Sequence, residues 1–166
     1  MNIFSSTRIS NTSLAGALFI VLGLFGELSS AATWIDTPIG LVGLGCVAGA
    51  LSVSGLTTKC SSTNRAISLA FVLVALWAAV NLAHTETVMG QVSGGYWCFV
   101  IAVALAIWAT MSRFAAITPT PGVGAFLYQF LVPGLFGVWL IVLWELITVG
   151  LGIPRVLLPP PSLVGE

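Results

Sequence analysis

Apolar residues in this chain come in long unbroken runs, with the polar residues gathered in short clusters between them. Reading for runs of roughly 17 to 25 residues, the length a helix needs to cross about 30 Å of hydrocarbon, gives five segments, at 13–33, 37–56, 66–84, 96–112 and 125–150. None shows the strict alternation of a half-buried strand, and a helix satisfies its own backbone polar groups in lipid, so the segments are predicted to be helices. The connections are short, at 34–36, 57–65, 85–95 and 113–124, the last carrying the breaker string Thr118-Pro119-Thr120-Pro121-Gly122. The predicted fold is an all-α polytopic membrane protein of about five transmembrane helices.

Composition points the same way. Of the 166 residues, 58% are hydrophobic and 6% charged, more apolar surface than a water-soluble chain of this length can hide. Lys plus Arg equals Asp plus Glu, and no basic run is present to follow a phosphate backbone, so nucleic-acid binding is not expected. Cys46, Cys60 and Cys98 are scattered and form no C-x-x-C pair, and His84 is the sequence's single histidine, so neither a disulfide framework nor a multi-histidine metal site is predicted.

The cations set a direction. Arg8 precedes the first segment, Lys59 and Arg65 fall between the second and third, and Arg113 falls between the fourth and fifth, all on one side. The opposite connections hold Asp36 and Glu86 and no cation; Arg155, after the fifth segment, is the exception. Because cytoplasmic loops collect Lys and Arg, the N-terminus is predicted to be cytoplasmic and the C-terminal tail outside, which is the periplasm if the membrane is the inner membrane of a Gram-negative bacterium. Arg8, the apolar stretch 14–26 and Ser30-Ala31-Ala32 also suit a secretory signal peptide, whose removal would leave four helices in the same orientation. Against that reading, Trp34 and Asp36 suit a short interfacial turn within a helical hairpin.

Ionisable side chains within a span cost roughly 2.5–3.5 kcal/mol each on insertion scales, so each asks for a reason. Glu27, Asn81, His84 and Glu145 all fall at a similar depth towards the outer side. One reading is a polar cluster that binds an ion or relays protons, with Glu27 and His84 as the central pair. The alternative is that Glu145 and His84 reach the headgroup region while Glu27 bonds a hydroxyl or amide of a neighbouring helix. His84 as axial ligand to a haem or chlorophyll-type pigment is a further option with no supporting motif. In the second segment Gly45 and Gly49 have the G-x-x-x-G spacing that lets a neighbouring backbone approach closely. No G-x-S-x-G, H-E-x-x-H or Walker loop occurs, and an enzyme is not expected.

The last quarter of the chain differs in character. Leu131-Val132-Pro133-Gly134 leads into an apolar run ending Leu143-Trp144-Glu145-Leu146, followed by Gly152-Ile153-Pro154-Arg155-Val156-Leu157-Leu158-Pro159-Pro160-Pro161-Ser162-Leu163-Val164. This stretch resembles the opening of the permease subunits of bacterial ABC importers for nitrate, sulfonates and taurine, in which a first helix ends in a Trp-Glu-Leu-like triplet and a Gly-Ile-Pro, Leu-Pro-x-Pro-Ser-x-Val string follows outside the membrane. The matching residues here are Trp144, Glu145, Pro154, Pro159, Pro161 and Ser162. In physical terms Pro154 is expected to stop the helix, Pro159 to Pro161 to stiffen the chain, and Ser162 to cap a following helix.

The resemblance implies a cytoplasmic ATPase carrying ATP and a periplasmic binding protein as partners. The family's remaining helices and its ATPase-docking loop would follow Glu166. The chain then divides into a four-helix membrane region at 1–112, a cytoplasmic Pro/Gly linker at 113–124, and a permease-like helix with an extracytoplasmic Pro-rich tail at 125–166. Two other readings stand beside it. One is an accessory or structural subunit of a larger energy-transducing or photosynthetic complex, which the six Trp and the glycine-faced second segment suit. The other is an autonomous proton-coupled carrier using Glu27 and His84.

Overall fold

Helices account for every regular element in the computed structural model, which describes residues 11–28, 33–34, 36–56, 62–86, 92–116, 123–154 and 156–164. In chain order they are α1 (Asn11–Phe25), α2 (Pro38–Leu56), α3 (Ser62–Ala83), α4 (Gly94–Ala115), α5 (Val123–Gly150) and the short α6 (Pro161–Val164). Among the described residues there is no strand. The breaker string at 118–122, Arg8, Lys59 and Arg155 lie outside the described residues.

Three helices are long and apolar enough to cross a membrane: α3, α4 and the Gln129–Gly150 part of α5. At 22 residues each, they reach about 33 Å at roughly 1.5 Å per residue. The apolar stretches of α1 and α2, Leu14–Leu24 and Pro38–Ser54, are shorter. The first predicted segment, 13–33, is therefore too long. Gly26 ends the helix at Phe25 because its backbone lies against that of Gly95 at the start of α4, where a Cβ on Gly26 would sit 2.9 Å from Gly95 Cα. A Cβ on Gly95 would in turn sit 2.5 Å from the Glu27 carbonyl. The chain then leaves the helix, and its freed carbonyls find donors: the Trp34 indole N–H donates to Gly26 O at 3.1 Å, and Ser93 N–H donates to Leu28 O at 3.1 Å.

α2 opens with Pro38 in its first position, where the missing N–H costs nothing, and Thr37 O accepts from Leu41 N–H at 3.2 Å. α3 begins earlier than predicted, so Arg65 belongs to the helix and not to the loop before it. α4 runs on to place Arg113 in its last turn. From there Arg113 Nη1 donates to Val53 O at 2.7 Å in the last turn of α2, tying the ends of the two helices together. α5 continues through Pro133.

Packing follows residue size. α1 lies on α4 and α2 on α3, α3 and α4 also meet, and α5 packs at the edge against α3 and α4. The buried faces of α3 and α4 are rich in small residues, Ala75, Ala78, Ala79 and Ala83 on one and Ala102, Ala106 and Ala109 on the other, and Ala78 and Phe99 both lie against Gly43 of α2. In hydrocarbon no hydrophobic force joins helices, so close packing of this kind must hold them. Burial on α2 recurs at Gly43, Leu44, Val47, Ala50 and Leu51. A Cβ on Gly43 would meet Phe99 at 2.8 Å and Ala78 at 3.0 Å. The predicted Gly45 and Gly49 ridge is thus corrected: Gly49 lies against the Phe71 ring, but Gly45 is exposed with nothing near it. The close-packing ridge is centred on Gly43.

Consecutive helices run antiparallel, so the polar ends sort by charge. Among the described residues Glu27, Asp36, Glu86 and Glu145 all belong to the end where Gly26 meets Gly95, and Arg65 and Arg113 to the other.

Candidate functional site at the acidic end

The last two turns of α5 turn Glu145, Leu146, Thr148 and Val149 inwards and leave Trp144 partly exposed. Thr148 Oγ1 lies 3.0 Å from both Trp144 O and Glu145 O, so its hydroxyl is spent on its own helix. The helix closes at Gly152, whose φ of 60° is the left-handed value an L side chain resists. Gly152 N–H donates to Val149 O at 3.1 Å and Ile153 N–H to Thr148 O at 3.0 Å, the paired bonds of a Schellman stop. The stop predicted at Pro154 is therefore made two residues earlier by Gly152. Pro154 then prevents resumption of the helix.

Beyond Gly152 the chain folds back. Glu145, only 6% exposed, is where it lands. Its Oε1 accepts from His84 Nε2 at 2.8 Å and from Ser162 Oγ at 2.9 Å, and its Oε2 accepts from Ser162 N–H at 3.1 Å. His84 follows the last residue of α3 and keeps its helical turn through His84 N–H to Val80 O at 3.2 Å. Three donors converge on one buried carboxylate, which offsets the cost of removing it from water. The expected capping role of Ser162 is also reversed: Ser162 is the second residue of α6, and Glu145 caps that turn from another helix.

A cavity of about 350 Å³ opens beside this clasp between the end of α5 and the tail, bordered by His84, Thr148, Ile153, Pro160, Ser162 and Leu163. Its walls are mainly aliphatic. The Ser162 hydroxyl is directed at a carboxylate and not at the imidazole, so the pair is not a nucleophile with its base.

The four polar positions predicted to share a depth do not form one cluster. His84 meets Glu145, not Glu27. Glu27 stands exposed in the turn after α1, and α1 packs on α4 and α2, away from α3 and α5. Asn81 Nδ2 donates to Trp77 O at 2.8 Å within its own helix. Pro154 and Pro159 are exposed and Pro161 half-buried. Among the described residues no group of three or more His, Cys, Asp or Glu side chains could hold a metal ion, and Cys46 and Cys98 are free thiols.

A second polar contact went unpredicted. Ser68 Oγ and Thr110 Oγ1 lie 2.7 Å apart with both residues essentially fully buried, bridging α3 and α4 deep in the bundle. The available signal was two hydroxyls inside apolar runs.

The chain matches no protein-family model, no curated protein and no solved structure.

Proposed function

We propose that the chain is a multi-pass component of a bacterial inner membrane and forms part of the permease of an ABC importer for a small anionic solute. In this reading α1 to α5 all cross the bilayer, with the N-terminus cytoplasmic and the tail periplasmic. The separation of acidic and basic ends supports the orientation, because Arg65 and Arg113 lie where cytoplasmic cations belong. That α1 and α2 run alongside α4 and α3 supports counting them as crossings despite their length. ATP would be bound by a partner ATPase, and a periplasmic binding protein would deliver the solute.

The observation that carries the reading is the bond between Glu145 and Ser162. The permease-like string has two parts, Trp144-Glu145-Leu146 and the Pro-rich run ending at Ser162, and one residue of each is bonded to the other. A string whose parts hold each other forms one element, and the permease reading takes that element as its signature. The test is isolation of the tagged protein from its native membrane in mild detergent. A stoichiometric ATP-hydrolysing partner, and ATP-dependent uptake of nitrate or a sulfonate by reconstituted vesicles, are the predicted results.

A second reading, an accessory subunit packed in a larger energy-transducing or photosynthetic assembly, draws on α5, where Phe130, Phe136, Leu140 and Ile141 are all about half exposed. Recovery of a large assembly without an ATPase selects it over the first.

A further inference from the structure

We propose that the segment from Leu151 to Val164 is a re-entrant strap lying in the lipid leaflet at the acidic end, not a tail in water. Three observations carry this. The first is depth. Glu145 precedes the end of α5 by five residues, about 7–8 Å along the axis. Helical side chains lean towards the N-terminus, so the carboxylate does not reach upwards to meet the tail. Ser162 must come down to it, which brings the strap back to the level of the last turns of α5.

The second is the surface the strap presents. Val156 is 96% exposed, Leu157 76%, Val164 63% and Leu151, just past the end of α5, 55%. The hydroxyl of Ser162 is turned inwards onto Glu145. Exposed aliphatic side chains on a strap that returns to the last turns of α5 match the acyl region beneath the headgroups, and Arg155 is of the residue type that extends to lipid phosphates.

The third is the backbone. Non-helical chain survives in lipid only when its polar groups are satisfied. Of the described residues from Leu151 to Leu163, Val156 aside, every one is a proline or has its N–H bonded within the protein. Leu151, Gly152 and Ile153 donate to the end of α5, Leu157 and Leu158 to Pro154 O, Ser162 to Glu145 and Leu163 to Pro160 O. Pro154, Pro159, Pro160 and Pro161 have no donor to satisfy. A strap that has spent its donors in this way is suited to lipid.

The inference requires only that the helices lie in a bilayer, and it stands or falls apart from the transport reading. The test is the full chain with Cys46, Cys60 and Cys98 replaced by Ala, carrying Leu157→Cys labelled with an environment-sensitive fluorophore, in nanodiscs of phosphatidylcholine and phosphatidylglycerol. Val156→Cys is a second labelling site, and Glu86→Cys, in the exposed turn after α3, is the aqueous reference. Lipids bearing a nitroxide near the headgroup are expected to quench the two strap labels roughly threefold more than the reference, with aqueous iodide showing the reverse order. Quenching of the strap labels by iodide as at Glu86→Cys overturns the proposal in favour of a solvated tail. Quenching by neither agent overturns it in favour of a protein partner covering the strap.

Discussion

Ser162 gives both its backbone N–H and its hydroxyl to the carboxylate of Glu145, a residue 17 positions earlier in the chain. With His84 Nε2 on the same carboxylate, the contact ties α3, α5 and the tail into one unit. The tail has few other polar anchors, so its position depends on this one group.

Glu145→Ala should release the tail. Hydrogen bonds to a charged group contribute about 1.5–3 kcal/mol, so the Ser162 amide is expected to exchange roughly 10- to 100-fold faster with deuterium in the variant. Glu145→Gln should be only partly protective, because its amide NH₂ must face either His84 or Ser162 donors. Unchanged exchange at Ser162 in Glu145→Ala contradicts the clasp.

Substitutions at Ser162 should separate its two bonds. Ser162→Ala keeps the N–H donor and is expected to cost about 1 kcal/mol, whereas Ser162→Pro removes both donors and should approach the effect of Glu145→Ala. Protease sensitivity of the tail in detergent reports the order. Equal effects of the two variants would show that the backbone bond contributes nothing.

Gly95→Ala should destabilise the bundle by about 1–3 kcal/mol, since its Cβ meets the Glu27 carbonyl and backbone cannot rotate away. Gly45→Ala, with open space around it, should fall within about 0.5 kcal/mol of the parent. Thermal unfolding in detergent distinguishes them, and a larger loss at Gly45 would place the close-packed ridge of α2 elsewhere.

Ser68 and Thr110 should show a modest coupling. Hydrogen bonds between membrane helices average about 0.6 kcal/mol in double-mutant cycles, with a maximum near 1.7, so Ser68→Ala and Thr110→Val together should cost less than the sum of their separate effects by about that much. Additive losses would mean that the two hydroxyls do not interact.

The helices were legible from the chain because a membrane run is defined by length and apolarity, properties a sequence displays directly. Their ends were less so. Phe25 ends α1 because Gly26 and Gly95 touch, a contact between residues far apart in sequence. His84 and Glu145 fall at one level along their helices, but which side chains share a face depends on helix order around the bundle. That order puts α3 beside α5 and α1 on the far side, so His84 found Glu145 and Glu27 stayed apart. Likewise Gly45 and Gly49 have the right spacing, but only Gly49 faces a neighbour, the Phe71 ring, while Gly45 stands exposed, a rotation that no local pattern fixes. Ser162 has the residue type of a cap, and only the fold-back at Gly152 makes it a donor to a cap.

The helices are expected to cross a membrane with the acidic end outwards. Labelling with a membrane-impermeant maleimide tests it most directly, using native Cys60, in the predicted 57–65 connection, and Glu86→Cys in a background lacking the native cysteines. Cys60 is expected to react in inside-out vesicles and not in intact spheroplasts, and Glu86→Cys to react in the opposite pair. Labelling of Cys60 from outside intact spheroplasts, or of both sites from the same side, would contradict it.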